Sequence, residues 1–96
     1  MKVITLCGSM RFFNEMQEIA RELETKYGYC AIAPIGGTST TLNKEEVENL
    51  AKAQYKKIDI SDAVYIVNIG GYIGESVSKE LRYAQKYKKE IIFHES

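Results

Sequence analysis

One carboxylate on an apolar helix face, Glu80, is the residue best placed to do chemistry. Val77, Leu81 and Ala84 recur at the spacing of an amphipathic helix and define the face that should be buried. Glu80 falls between them on that same face. Because burying an ionised carboxylate without a partner costs several kcal/mol, we expect a pairing group or a ligand beside it.

A structural interpretation of Glu80 stays open beside the chemical one. A glutamate near the edge of an apolar face can bend out to solvent or pair with a cation such as Arg11 or Lys79. His94 is the only histidine. It follows the last predicted strand, a position more typical of the surface than of a catalytic site.

The segment from Gly8 to Arg11 links the first predicted strand to the first predicted helix. A helix amino terminus offers free backbone N–H groups to an anion. Gly8 would let a ligand approach the backbone, Ser9 would donate its hydroxyl and Arg11 would pair with the anion. The alternative is a plain serine helix cap followed by a surface arginine. The glycine spacing matches neither a P-loop nor a dinucleotide fingerprint.

A second turn, rich in glycine, spans residues 70–74 and precedes the last predicted helix. Ser76 and Ser78 open that helix, and we expect one of them to cap it. They are also candidates to donate to the same anion as Ser9. Tyr72 lies within the glycine turn, where a base could stack on its ring.

Apolar runs alternate with amphipathic segments along the chain. They predict strands over 3–7, 29–33, 63–69 and 91–93, and helices over 12–27, from Asn43 to about 58, and over 75–88. This βαβαβαβ order predicts one domain over 1–96, an α/β fold with a small doubly wound parallel sheet of the Rossmann or flavodoxin kind. Ligands bind at the carboxyl ends of such strands, where residues 8–11, 34–42 and 68–78 should converge.

Composition limits the classes of function. The formal net charge is zero, so no basic field indicates binding to duplex nucleic acid. Cys7 and Cys30 lack the paired spacing of a metal site and are interpreted as reduced thiols in core strands. We expect no metal, no cofactor, no signal peptide and no membrane contact, and therefore a cytoplasmic protein.

Several short motifs, in this order, resemble the nucleoside 2-deoxyribosyltransferase superfamily. They are Leu6-Cys7-Gly8-Ser9-Met10-Arg11 after the first strand, Ser61-Asp62-Ala63 opening the third, and Glu80-Leu81 followed by Ala84 and a final apolar strand. The closest functional pattern is the 2'-deoxynucleoside 5'-phosphate N-hydrolase branch. The closest overall likeness is to small bacterial and phage members that carry Gly-Gly-Tyr-Ile-Gly-Glu-Ser. The resemblance covers nearly the whole chain.

The resemblance implies that Glu80 attacks the anomeric carbon of a deoxyribosyl unit and displaces the base. Water or a second base would then take the sugar, by the two-step logic of retaining glycosidases. It implies a nucleotide or deoxynucleoside 5'-monophosphate as the ligand, and favours a homodimer. The expected substrate-binding residues are Gly8, Ser9, Met10, Arg11, Gln54, Asn68, Gly71, Tyr72, Gly74, Ser76 and Ser78.

Three departures from the family pattern weaken the case for turnover. Gln54 stands where that branch has an aspartate that serves the leaving base, and an amide cannot protonate it. Thr5 replaces a tyrosine, and the family's further carboxyl-terminal residues are missing after Ser96. The leading hypothesis is cleavage or transfer of an N-glycosidic bond. The alternatives are a nucleotide-sensing module without catalysis and a small assembly protein that binds no nucleotide.

Overall fold

Four strands and three α-helices alternate along the described part of the chain. The structure is a computed structural model that describes residues 1–36 and 41–95. The strands are β1 (Val3–Gly8), β2 (Cys30–Ile32), β3 (Ala63–Val67) and β4 (Glu90–Phe93), and the helices are α1 (Phe13–Tyr27), α2 (Lys44–Asp59) and α3 (Glu75–Lys86). The predicted α/β class is therefore confirmed, as is the predicted order of elements.

All four strands are parallel and form one sheet in the order β2-β1-β3-β4. β1 and β3 are the central pair, and Gly8 lies opposite Val67 at their carboxyl ends. After β1 the chain moves outward to β2, and it then returns to the other side of β1 for β3. The strand order reverses between β1 and β3, which is where a doubly wound sheet forms its ligand crevice.

Helices cover both faces of the sheet, because alternate residues of the buried strands point in opposite directions. Ile4 and Leu6 of β1 pack with α1 residues such as Met16. Cys7 of the same strand packs on the other face with Ile58 of α2 and residues of α3. Residue 7 thus faces the same layer as α2 and α3, and this places its thiol near Glu80.

The helix ends follow the signals in the sequence. Gly28 ends α1 at φ 69°, and its N–H bonds to carbonyl oxygens of the last turn of the helix. A left-handed conformation of this kind favours glycine. Asn43 and Glu46 form a reciprocal capping box at the start of α2, as their spacing predicts.

Other boundaries differ from the predictions. β3 ends at Val67, two residues early, because a 3₁₀ turn at Ile69–Gly71 follows. Gly70 and Gly71 adopt φ values of 66° and 79°, which side-chain-bearing residues rarely adopt. α3 ends at Lys86, and Lys88 has a positive φ of 59°. Within the predicted loop over 35–42, residues 37–40 lie outside the described part of the chain.

Within residues 1–36 and 41–95, none of the helices has the length and apolar character needed to cross a lipid bilayer. The cytoplasmic location and the homodimer stay predictions.

The Asn43 cap should be a measurable source of stability, because α2 contacts the rest of the domain along one face only. We expect Asn43→Ala to lower the free energy of unfolding by about 1 kcal/mol, since an orphan N–H of the first turn loses its acceptor. Urea denaturation followed by circular dichroism measures this change. Asn14→Ala, an exposed substitution inside α1, is the matched control and should change stability little. An equal loss in both variants would contradict the capping argument.

Candidate functional site

A cavity of about 670 Å³ opens at the carboxyl edge of the sheet, between the start of α3 and the face of α2. Its volume lies within the usual range for small-molecule sites. Eight of the predicted site residues line it: Gly8, Ser9, Met10, Gln54, Tyr72, Gly74, Ser76 and Glu80. The other four, Arg11, Asn68, Gly71 and Ser78, are outside its lining.

The Glu80 carboxylate is held by the amide of Gln54. Gln54 Nε2 lies 3.3 Å from Glu80 Oε1 and 3.1 Å from the backbone oxygen of Leu6, so one NH₂ group donates to both. Because the Leu6 carbonyl requires a donor, it fixes which way the amide points. The N–H side of Gln54 therefore faces Glu80.

The other end of this amide is unsatisfied among the described residues. Gln54 is 8% exposed, and its Oε1 is buried without a hydrogen-bond partner. A buried acceptor in this state costs free energy. This cost indicates that Gln54 serves to bind Leu6 and Glu80 and does not serve to stabilise the fold.

A buried thiol is the second group beside Glu80. Cys7 is fully buried, with its Sγ 3.9 Å from Gln54 Nε2. Burial, and then the negative charge of Glu80, raise the pKa of the Cys7 thiol well above its ordinary value, so the S–H form persists. Burial also raises the pKa of Glu80, while hydrogen bonding to Cys7 and Gln54 lowers it in part. The carboxylate is thus oriented by two neutral donors.

Lys79 and Arg11, the two cations considered as partners of Glu80, contact other side chains instead. Lys79 Nζ lies 3.5 Å from Glu75 Oε1, one helical turn earlier. The Arg11 guanidinium stacks on the ring of Tyr72, with its central carbon 3.9 Å from the ring centroid. Glu80 is half-buried, so it neither turns fully to solvent nor pairs with either cation.

The expectation that Ser76 or Ser78 caps α3 is wrong. Gly74 occupies the N-cap position, with extended φ and ψ of −77° and 176°, and has no side chain to cap with. Ser76 and Ser78 lie inside the helix, past the position from which a hydroxyl can cap it. The Ser78 hydroxyl instead accepts a hydrogen bond of 3.2 Å from Arg82. The first-turn N–H groups of α3 thus lack a side-chain cap.

The turn at residues 8–11 matches the alternative interpretation, a serine cap, better than it matches an anion site. Ser9 Oγ accepts a bond of 3.3 Å from the N–H of Arg11 and caps the 3₁₀ turn Met10–Phe12. A Cβ on residue 8 would lie 2.8 Å from Met16 Sδ and 2.9 Å from Val67 Cβ. Close packing against α1 and β3 therefore explains the glycine at position 8 without a ligand.

The loop after β3 is hydrogen-bonded to Glu95, two residues after the end of β4. The Asn68 amide donates to the backbone oxygen of Glu95 at 2.9 Å and accepts from its N–H at 2.8 Å. The Glu95 carboxylate accepts from the N–H of Gly70. Asn68, expected to bind a ligand, thus holds the loop that carries Tyr72.

Several residues at the site were missing from the sequence predictions. Cys7 was assigned only to the core, although strand alternation places it on the α2 and α3 side of the sheet. Three exposed apolar side chains also border the cavity: Ile35, Val47 and Leu50. Helical periodicity places Val47 and Leu50 on one face of α2. No local sequence pattern identifies Glu95. Its carboxylate binds the N–H of Gly70, which is 25 residues away in the sequence and is brought close only by the folded sheet.

His94 is exposed and bonds to Tyr65, away from the cavity.

Comparisons of this chain with protein-family models, with curated proteins and with solved structures gave no match.

The raised pKa of Glu80 predicts a pH-dependent stability. The folded protein holds this proton more tightly than the unfolded chain, whose carboxyl titrates near the ordinary value of 4.5. The stabilisation is complete below that value and is lost as pH rises through the folded-state pKa. Glu80→Gln should therefore gain stability relative to wild type as pH rises through this window. Chemical denaturation at a series of pH values measures the difference.

Glu18→Gln in α1 is the matched control, because the Glu18 side chain is exposed and has no ion pair among the described residues. Its stability difference from wild type should stay nearly constant over the same pH range. If Glu80→Gln also gave a constant difference, the carboxylate would not be desolvated as described.

Proposed function

We propose that this chain binds a nucleoside 5'-monophosphate in the cavity and that Glu80 acts as the nucleophile on the anomeric carbon of its sugar. The observation that carries the proposal is the state of Glu80: a half-buried carboxylate at a cavity wall, oriented by neutral donors and paired with no cation among the described residues. A carboxylate that is not held in an ion pair is the better nucleophile, because no cation withdraws its charge.

The first turn of α3 is the proposed binding site for the phosphate of the ligand. Gly74 leaves the first-turn N–H groups without a side-chain cap, and these groups border the same cavity together with the Ser76 hydroxyl. Unsatisfied N–H groups and the positive end of the helix dipole favour an anion here. This end of the cavity matches a phosphate better than the turn at residues 8–11, where Ser9 already caps its own turn.

Spacing along α3 links the phosphate end to the nucleophile. Ser76 and Glu80 are four residues apart and share one face of the helix, about 6 Å apart along its axis. A sugar ring with its exocyclic carbon bridges a distance of this order between a phosphate and the anomeric carbon. One rigid helix would thus set both ends of the reacting unit.

The remaining walls suit a base. Val47 and Leu50 of α2 present apolar side chains, and Tyr72 presents an aromatic ring that already stacks with Arg11. Aromatic and apolar walls with few polar groups are typical of small-molecule sites. In the proposed reaction Glu80 forms an ester with the sugar as the base leaves, and water then hydrolyses the ester.

One observation favours a second candidate, a nucleotide-binding module without catalysis. Gln54 is one of the two side chains that donate to Glu80, and an amide supplies no proton to a leaving base. In that case the cavity would bind the nucleotide and release nothing.

A binding and turnover experiment separates the two candidates. We expect nucleoside 5'-monophosphates to raise the melting temperature more than the matching nucleosides do, because ligand binding to the folded state stabilises it. We also expect free base to appear by chromatography, at a rate that Glu80→Gln lowers by about a thousandfold or more. Glu18→Gln, the same exchange at an exposed position of α1 that does not line the cavity, is the control and should leave the rate unchanged.

Binding without release of base by any nucleotide would select the non-catalytic module. No change in melting temperature with any nucleotide would contradict both candidates.

A further inference from the structure

We propose, resting on the function proposed above, that the glycosidic bond cleaved here joins the sugar to a ring nitrogen that is already cationic, as in N-alkylpurine and pyridinium nucleotides. The inference comes from the donors around Glu80, which orient the nucleophile but include no acid for the leaving group. It names the substrate class of the site.

A neutral base needs a proton to leave well. When the C–N bond breaks, its electron pair moves onto the base, which would depart as an anion unless an acid protonates it. A positioned general acid typically accelerates such a step by about 10²–10⁴-fold. A base bound through a cationic nitrogen departs as a neutral molecule and requires no acid.

The acidic side chains nearest the cavity do not supply that proton. Glu75 borders the cavity, but its side chain is 86% exposed and pairs with Lys79. Residues 37–40 are Gly, Thr, Ser and Thr and carry no carboxyl group. Lysine and tyrosine side chains also border the cavity, but both are in general far weaker acids than a carboxyl group.

The two aspartates that could otherwise serve are bonded elsewhere. Asp59 accepts a short hydrogen bond from the hydroxyl of Tyr83. Asp62 accepts from the N–H of Val3 at 2.8 Å, at the amino-terminal edge of the sheet and therefore at the end opposite the cavity. Neither residue lines the cavity.

The electrostatics next to Glu80 favour a cationic ring at that end of the cavity. Glu80 is partly desolvated, and its partners among the described residues are two neutral donors, Gln54 and Cys7. A positive ring next to an incompletely compensated carboxylate gains Coulombic energy that a neutral ring does not. The apolar side chains of Val47 and Leu50 suit the flat body of such a ring.

The step balances without any further reactant except water. A Glu80 oxygen forms a bond to C1' while the bond from C1' to the cationic nitrogen breaks, and its electron pair neutralises the ring. Water then attacks C1', the ester bond to Glu80 breaks, and the proton from water goes to solvent. The products are the free base and the sugar phosphate.

Matched nucleotide pairs test the inference on the wild-type chain. One pair is 7-methylguanosine 5'-monophosphate and guanosine 5'-monophosphate. The other is nicotinamide mononucleotide and its reduced form, in which the ring is neutral. Release of base is measured by chromatography, with the rate in Glu80→Gln subtracted as the uncatalysed background. We expect the cationic member of at least one pair to react about 100-fold or more faster than its neutral partner. The pair that responds identifies the ring.

An isosteric variant tests the reason for this preference. Gln54→Glu places a carboxyl group at the same distance from Glu80, and the repulsion between the two carboxyls favours its protonated form. We expect this variant to cleave guanosine 5'-monophosphate at least about tenfold faster than wild type. Circular dichroism checks that it folds; if it does not, the matched pairs decide alone.

The outcomes separate this inference from the function on which it rests. Equal cleavage of cationic and neutral partners, or no gain in folded Gln54→Glu, would overturn the inference and leave nucleotide cleavage in place. Thermal stabilisation by nucleotides without cleavage of any pair would overturn it and select the non-catalytic module. Absence of both stabilisation and cleavage would overturn the proposed function itself.

Discussion

The amide of Gln54 joins the three elements that make the site. Its one NH₂ group bonds to the Leu6 carbonyl in β1 and to the Glu80 carboxylate in α3, while the residue itself belongs to α2. The two helices on this face of the sheet are thereby tied to the central strand at the level of the cavity. If this contact were lost, Glu80 would keep its place on the helix but lose its orientation.

Neutral donors give Glu80 a different character from an ion pair. A lysine or arginine beside the carboxylate would stabilise its charge and reduce its nucleophilicity, whereas Gln54 and Cys7 orient it with weaker bonds. Partial burial then leaves the charge incompletely compensated. The structure tolerates this cost, together with the unsatisfied Oε1 of Gln54, at one place at the carboxyl edge of the sheet. Several unfavourable groups gathered at one place are what a functional site is expected to show.

Local patterns predicted much of this protein, and contacts between distant segments account for what they missed. Alternating apolar runs predicted the parallel sheet, and Gln54 and Glu80 both fall on apolar helix faces by periodicity alone. Their hydrogen bond spans 26 residues, and no local signal reports it. Ser76 or Ser78 was expected to cap α3 because serine is a good cap, but the chain turns into the helix earlier, at Gly74. Neither serine is therefore in the position from which its hydroxyl could cap the helix.

The arrangement of α3 explains why the loop before it must be rigid. This helix contributes both the uncapped N–H groups and Glu80, so any displacement of its first turn would move both together relative to β1. Two left-handed glycines set the path of the loop, and Asn68 holds it to the backbone of Glu95, two residues after β4. The segment that follows β4 therefore affects the site without contacting it, because it fixes the loop from which α3 begins.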